Sequence, residues 1–241
     1  MKLLLLFIWG LLVLPAAAQP AKLNQPLQRE LDSILVLDQK FRHLMAATRH
    51  QPQTDSLEVA LRLSKGQLFT YTLTSMQRVD SSNLHRLEVL IKRYGYPGKS
   101  LVGAPANEAA WYVIQHSDKI AQYSPLVKAA AEHQELPYWM YAQMLDRQLM
   151  HEGKGQFYGT QAAGYPILSK QTGQPKQVHS LWPVADPPRA DARRRRAGFP
   201  DTLAESAQSL LNGPYRPVTL AYALQTQQAA DALSRQRQQK P

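Results

Sequence analysis

His116, Asp118 and Asp146 are the residues of this chain best suited to acid–base chemistry. A histidine titrates near neutrality, and a carboxylate beside it fixes its tautomer and makes it a general base. Arg147 follows Asp146 directly, and Arg193 and Arg194 open a run of four arginines. Guanidinium groups of this kind hold carboxylates or phosphates in bidentate fashion. Between these groups lies GKGQFYGTQ, residues 153–161. Gln156, Tyr158, Thr160 and Gln161 bring neutral donors and acceptors on a glycine-punctuated backbone. Such groups do not move protons near pH 7; they orient something polar, such as a peptide bond, a sugar or neighbouring backbone. Two roles stay open for them. They cradle a ligand, or they tie the chain together internally, since buried polar groups must be satisfied. His116 is open in the same way, as a general base or as a core-edge histidine bonded to a carbonyl.

Other chemistries find less support. The chain has no cysteine, which removes disulfides and thiolate nucleophiles. No serine sits in a nucleophile-elbow pattern. Asp118 and Asp146 would supply the two facing carboxylates of a glycosidase, but spacing does not set their separation. No metal site and no cofactor are expected. His116 and Asp118 are two apart and share no helix face unless the helix ends between them, and zinc sites collect more nitrogen or sulfur ligands than this. The net charge of +10 favours anionic surroundings, either a polar or anionic small molecule or an anionic envelope polymer, or serves solubility. Nucleic acid is not expected as a partner, because the arginine run carries no interleaved aromatics and no recognisable nucleic-acid motif.

The elements that must position these residues read as helices. The chain opens MKLLLLFIWGLLVLPAAAQP, with one basic residue, an apolar run from Leu3 to Leu14 and an Ala-Ala-Ala cleavage signal. This predicts a secretory signal peptide cut near Ala18-Gln19, too short for a membrane anchor. A cysteine-free exported chain suits a bacterial periplasm or outer surface. Residues 26–49 carry Leu27, Leu31, Ile34, Leu35, Phe41 and Met45 at helical spacing. Asp38 and Arg42 fall on that same apolar face, four apart, as a buried ion pair or as the lining of a polar pocket. Thr54 to Lys65 predicts a second helix. Phe69, Tyr71 and Leu73 alternate with threonines as in a strand, yet their neighbours favour a helix. Asp80-Ser-Ser-Asn is read as a helix start. Pro105 and Pro137 open further helices, the latter carrying Asp146 near the core boundary. YPILSKQTGQPKQVHSLWP reads as a hairpin turning at Thr172-Gly173-Gln174. A short basic helix follows, then a Gln-rich segment read as a loosely attached tail.

GYPGKSLVG, AAWYVIQHSD, LDRQLMHEGKGQFYGTQ and DARRRRAGF together resemble a bacterial family of unknown function. Its members share a Gly-Trp/Tyr-Pro turn, a Gln-His-x-Asp helix end, an Asp-Arg pair, a Gly-x-Gln-x-Tyr-Gly-Thr-Gln loop and an Asp-x-Arg-Arg segment. The resemblance covers roughly residues 30 to 200. It implies that Gln115, His116, Asp118, Asp146, Arg147, Gln156, Tyr158, Gly159, Thr160, Gln161, Asp191, Arg193 and Arg194 belong to one set. Asp38, Gln39 and Arg42 resemble an early element of the family. Phe199 stands where leucine is usual, and residues 50–75 look longer than typical. The resemblance supplies residues and no mechanism.

The expected molecule is mainly α, a multi-helix bundle with a small β-hairpin near residues 156–183. Its organisation is signal peptide 1–18, helical domain 19–212 and polar tail 213–241. Two function classes stay open. One is a hydrolase or lyase on a polar or anionic envelope compound, with His116 as base, Asp118 or Asp146 as its orienter and Gln115, Arg147 and Arg193 in the binding set. The other is a non-catalytic periplasmic binding or structural protein whose motif residues form a buried hydrogen-bond network.

Overall fold

A computed structural model describes residues 22–48, 51–169 and 171–238; the expected signal peptide lies outside them. Among the described residues the chain is mainly helical with one two-stranded antiparallel sheet. The helices are α1 (Gln25–Ala47), α2 (Gln51–Ala60), α3 (Leu68–Tyr94), α4 (Lys99–Val102), α5 (Ala109–Gln115), α6 (Ile120–Glu132), α7 (Tyr138–His151), α8 (Ala190–Ala197), α9 (Leu203–Leu211) and α10 (Leu220–Gln238). Strands β1 (Ala162–Leu168) and β2 (Pro175–Leu181) pair from Ala162 opposite Leu181 to Leu168 opposite Pro175. No helix among the described residues is long and apolar enough to cross a membrane.

The core is built where apolar stripes meet. Leu27, Leu31 and Ile34 of α1 pack with Leu87 of α3, Trp111 and Ile114 of α5, Val127 of α6, and Met140 and Met144 of α7. Each fully buried side chain of this size is worth about 1.5–3 kcal/mol of transfer free energy. The start of α1 is set by Asn24, whose side chain accepts from the Leu27 N–H at 3.1 Å, as N-cap residues do. A second, smaller cluster of Leu181, Ala190, Leu203 and Ala207 joins the hairpin to α8 and α9.

Three expectations need correction. Residues 68–94 form one continuous helix, so Asp80-Ser-Ser-Asn is not a helix start. Phe69 and Tyr71, two of the three apolar members of the strand-like alternation, are exposed, while Leu68 and Thr72 are buried at helical spacing. A lone strand would leave its backbone groups unpaired, whereas a helix satisfies its own. Second, α2 begins before Thr54 and ends at Ala60, short of Lys65. The buried Glu58 carboxylate of α2 accepts from the Leu68 N–H at 2.9 Å, at the first turn of α3. Third, the Gln-rich segment after Gly213 contains α10, which lies on β1. Its Ala223, Thr226 and Ala230 are buried; small residues at helical spacing let the backbone approach the hairpin although few large apolar side chains are present.

Candidate functional site

The 153–161 loop is held by α7 on one side and α8 on the other. Asp146 is wholly buried. Its carboxylate accepts from the Phe157 N–H at 2.7 Å, the Tyr158 N–H at 3.1 Å, and the Thr160 N–H at 3.1 Å and hydroxyl at 3.0 Å. Burial raises the Asp146 pKa above the usual carboxylate range, and these donors oppose that shift. Gln156, also wholly buried, spends its whole side chain on the loop. Its amide donates to the carbonyls of Gln161 (2.9 Å) and Trp182 (2.6 Å), and its oxygen accepts from the N–H groups of Thr160 and Gln161, both at 2.9 Å. The Gln161 amide donates to the Thr160 hydroxyl at 3.0 Å.

The two inward arginines of α8 take the loop's carbonyls. Arg193 donates to Phe157 at 2.9 Å and to Ala185 at 2.6 Å. Arg194, buried, donates to the Tyr158 carbonyl at 2.6 Å and to Asp201 through both its carbonyl (3.0 Å) and its carboxylate (2.5 Å). Arg195 and Arg196 are exposed. Gly159 has φ +71°, a backbone conformation that favours glycine, and a Cβ there would displace the end of the Leu203 side chain of α9. Tyr158 is half-buried, and burial pushes its phenol up to about 12.

A second polar centre forms where α5 ends. His116 is the C-cap of α5. Its Nδ1 lies 3.2 Å from the buried Asp38 carboxylate of α1, and its Nε2 accepts from Arg42 Nε–H at 3.3 Å. That pair of contacts assigns the proton to Nδ1, facing Asp38. Arg42 also donates to the Asp38 carbonyl at 2.6 Å and to both oxygens of Asp80 on α3 at 3.0 and 3.1 Å. Gln39 donates to the other Asp38 oxygen at 2.7 Å. From the opposite side Arg147 of α7 reaches the Gln115 carbonyl at 3.4 Å. Its Nε and the Gln115 side-chain oxygen are both buried with no hydrogen-bond partner among the described residues. Arg147 makes no ion pair among the described residues; burial, then the nearby Arg42, lower its basicity. Burial and Arg147 likewise lower the pKa of His151, one turn along α7. A cleft of about 330 Å³ opens beside His116, lined also by Gln77, Asp80, Ser81, Ser117 and Asp118.

The sequence profile of one family spans residues 67–216, more than half of the chain. The protein belongs to DUF6624, a family of unknown function. No curated protein and no solved structure matches the chain. The DUF6624 region holds both the 153–161 loop and the Gln115–His116 end of α5, while Asp38 and Arg42 precede it.

Within this DUF6624 chain, then, the candidates divide into two groups. Asp146, Gln156, Tyr158, Thr160, Gln161, Arg193 and Arg194 meet at the loop. Asp38, Arg42, Gln115, His116 and Arg147 meet at the end of α5. The expected pairing of His116 with Asp118 or Asp146 is replaced by pairing with Asp38. Asp118 is exposed and makes no hydrogen bond to His116. Asp146 turns to the loop because it and Arg147 sit about 100° apart around α7. Arg194 pairs with Asp201 rather than with Asp146 or Asp191, and Asp191 instead accepts from the Leu203 N–H at 2.7 Å, opening α9. Asp80 and Asp201 carried no signal as site residues in the sequence: Asp80 meets Arg42 through packing of α3 on α1, and Asp201 meets Arg194 across the turn after α8. Among the described residues no three His, Cys, Asp or Glu side chains converge as a metal site.

Proposed function

We propose that the protein binds a small anionic compound at the end of α5, between Arg42 and Arg147, and presents to it the Asp38-aligned His116. The observation that carries this reading is Arg147: a largely buried guanidinium with no carboxylate partner and an unsatisfied Nε. A buried unpaired charge is costly. The carbonyl end of α5 offsets only part of it, being worth roughly half an elementary charge. A carboxylate or phosphate would supply the rest. His116 then has the orientation of a general base, with Asp38 holding Nδ1–H. Its Nε2 becomes available once the 3.3 Å bond from Arg42 is given up for the ligand. Hydrolysis or elimination on an envelope-derived anion is the activity class this supports, in an exported protein.

Thermal melting of the full chain in inorganic phosphate and in small mono- and dicarboxylates tests the reading. A ligand selective for the native state raises the melting temperature with its concentration. The expected result is a rise in at least one anion series that is lost in Arg147→Met, with that variant about as stable as the parent without ligand. An Arg147→Met protein that is strongly destabilised, or a parent indifferent to every anion, would overturn it.

The alternative, a non-catalytic scaffold, has its own support in the loop. Asp146 and Gln156 have all their capacity used by backbone and Thr160, which leaves them nothing to offer a substrate. We therefore assign the loop a structural role and keep the ligand reading for the end of α5.

A further inference from the structure

A wider cleft of about 620 Å³ lies between α7, α9 and the turn after α8, within the volume range of small-molecule sites. Its residues are distinct from those of the Gln115–His116 centre. Trp139 of α7 and Phe199 line it with rings 6.4 Å apart and tilted by 58°. One turn along α7 stands Gln143, whose backbone carbonyl accepts from Gln161 while its amide side chain has no hydrogen-bond partner among the described residues. Ser209 on α9 and Asp201 also line the cleft, and the Ser209 hydroxyl and the second Asp201 carboxylate oxygen have no hydrogen-bond partner among the described residues.

The walls are fixed in advance by one side chain. Arg194 holds the Asp201 carboxylate and carbonyl, holds the Tyr158 carbonyl, and lies over the Phe199 ring at 4.6 Å. A pre-positioned acceptor and ring lower the ordering cost of binding. The same contact cancels the Asp201 charge, so the carboxylate acts as a strong acceptor rather than as a base or a cation trap. The cleft is thus lined by two aromatic rings, one charge-compensated carboxylate, one amide and the Ser209 hydroxyl.

We propose that this cleft binds a neutral pyranose sugar. The C–H face of a pyranose is apolar and packs on an aromatic ring, while its equatorial hydroxyls need paired donors and acceptors such as a carboxylate and an amide supply. A charged ligand gains nothing here, because Arg194 is already committed to Asp201 and to backbone. The site is independent of the anion site proposed above.

The test uses the full chain and a panel of neutral methyl glycosides and disaccharides of gluco, galacto, manno and N-acetylglucosamine configuration. Binding is followed through the indole N–H resonance of Trp139. The expected result is a saturable shift with at least one sugar at millimolar concentration. Ser209→Trp, which fills the cleft from an exposed position, weakens binding at least about tenfold with unchanged melting. Gln143→Ala weakens it several-fold, and Arg147→Met leaves it intact. Trp139→Ala is a poorer probe, because Trp139 also packs on the core ring of Trp111 at 6.2 Å. A panel that leaves the Trp139 resonance unmoved overturns the proposal. So does binding that survives Ser209→Trp, or adenosine binding more tightly than every sugar.

Discussion

Asp146 shows how a residue that looks catalytic in a sequence becomes structural in space. It has the type and the neighbours of an acid–base group, yet its two oxygens are occupied by three backbone N–H groups and one hydroxyl. Replacing it with asparagine turns one acceptor into a donor facing buried donors. Leaving such groups unpaired costs about 1–3 kcal/mol each, so Asp146→Asn is expected to lower stability by about 3 kcal/mol in urea denaturation. Retained stability would remove the structural assignment of the loop. His116→Ala is expected to behave oppositely. His116 sits at a helix end with part of its ring accessible, so its removal should cost about 1 kcal/mol or less while abolishing any effect of bound anion on the Asp38 carboxyl resonance. Tyr158 supplies a pH-dependent counterpart. Its pKa of about 12 in the folded chain exceeds its ordinary value of 10.0. The folded state therefore keeps the phenolic proton that the unfolded state releases, and this contribution, complete below pH 10, is lost as pH rises towards 12. Melting curves across that window should fall less steeply in Tyr158→Phe.

Among the elements, helix starts are where local sequence and tertiary contact divide the work. Thr202 opens α9 with a capping box completed by Glu205, both residues lying within one turn. Thr202→Ala is expected to cost about 1 kcal/mol, read by chemical denaturation. The start of α3 has no such local cap; its Leu68 N–H is met by Glu58 from α2, ten residues earlier. The Asp38–Arg42 pair follows from helix geometry, since i and i+4 share a face. What spacing does not give is that His116 enters from α5 and Asp80 from α3 to close the centre. The arginine run has the same logic. A helix spreads four consecutive residues around its circumference, so some must turn inward, but which carbonyls receive them depends on where the loop passes.

At the scale of the whole molecule, a helical core carries the end-of-α5 centre, and a smaller cluster joins the hairpin, α8 and α9 to it through the loop. α10 lies on β1. Deleting residues 220–238 is therefore expected to raise amide exchange in β1 and β2 while leaving protection in α1, α5 and α7 unchanged. Loss of protection throughout would show that α10 supports the core as well.

By itself the sequence determined the helical class, the late hairpin with its turn and the absence of thiol chemistry. These are local properties, written in apolar periodicity, turn residues and composition. Tertiary structure alone decided how the polar residues divide: Asp146 to the loop and Arg147 to the Gln115 carbonyl, Arg194 to Asp201, Asp38 to the histidine. Such partnerships join residues up to 78 positions apart. They depend on crossing and rotation of whole helices, which the packing of apolar faces sets and which no short stretch of sequence encodes.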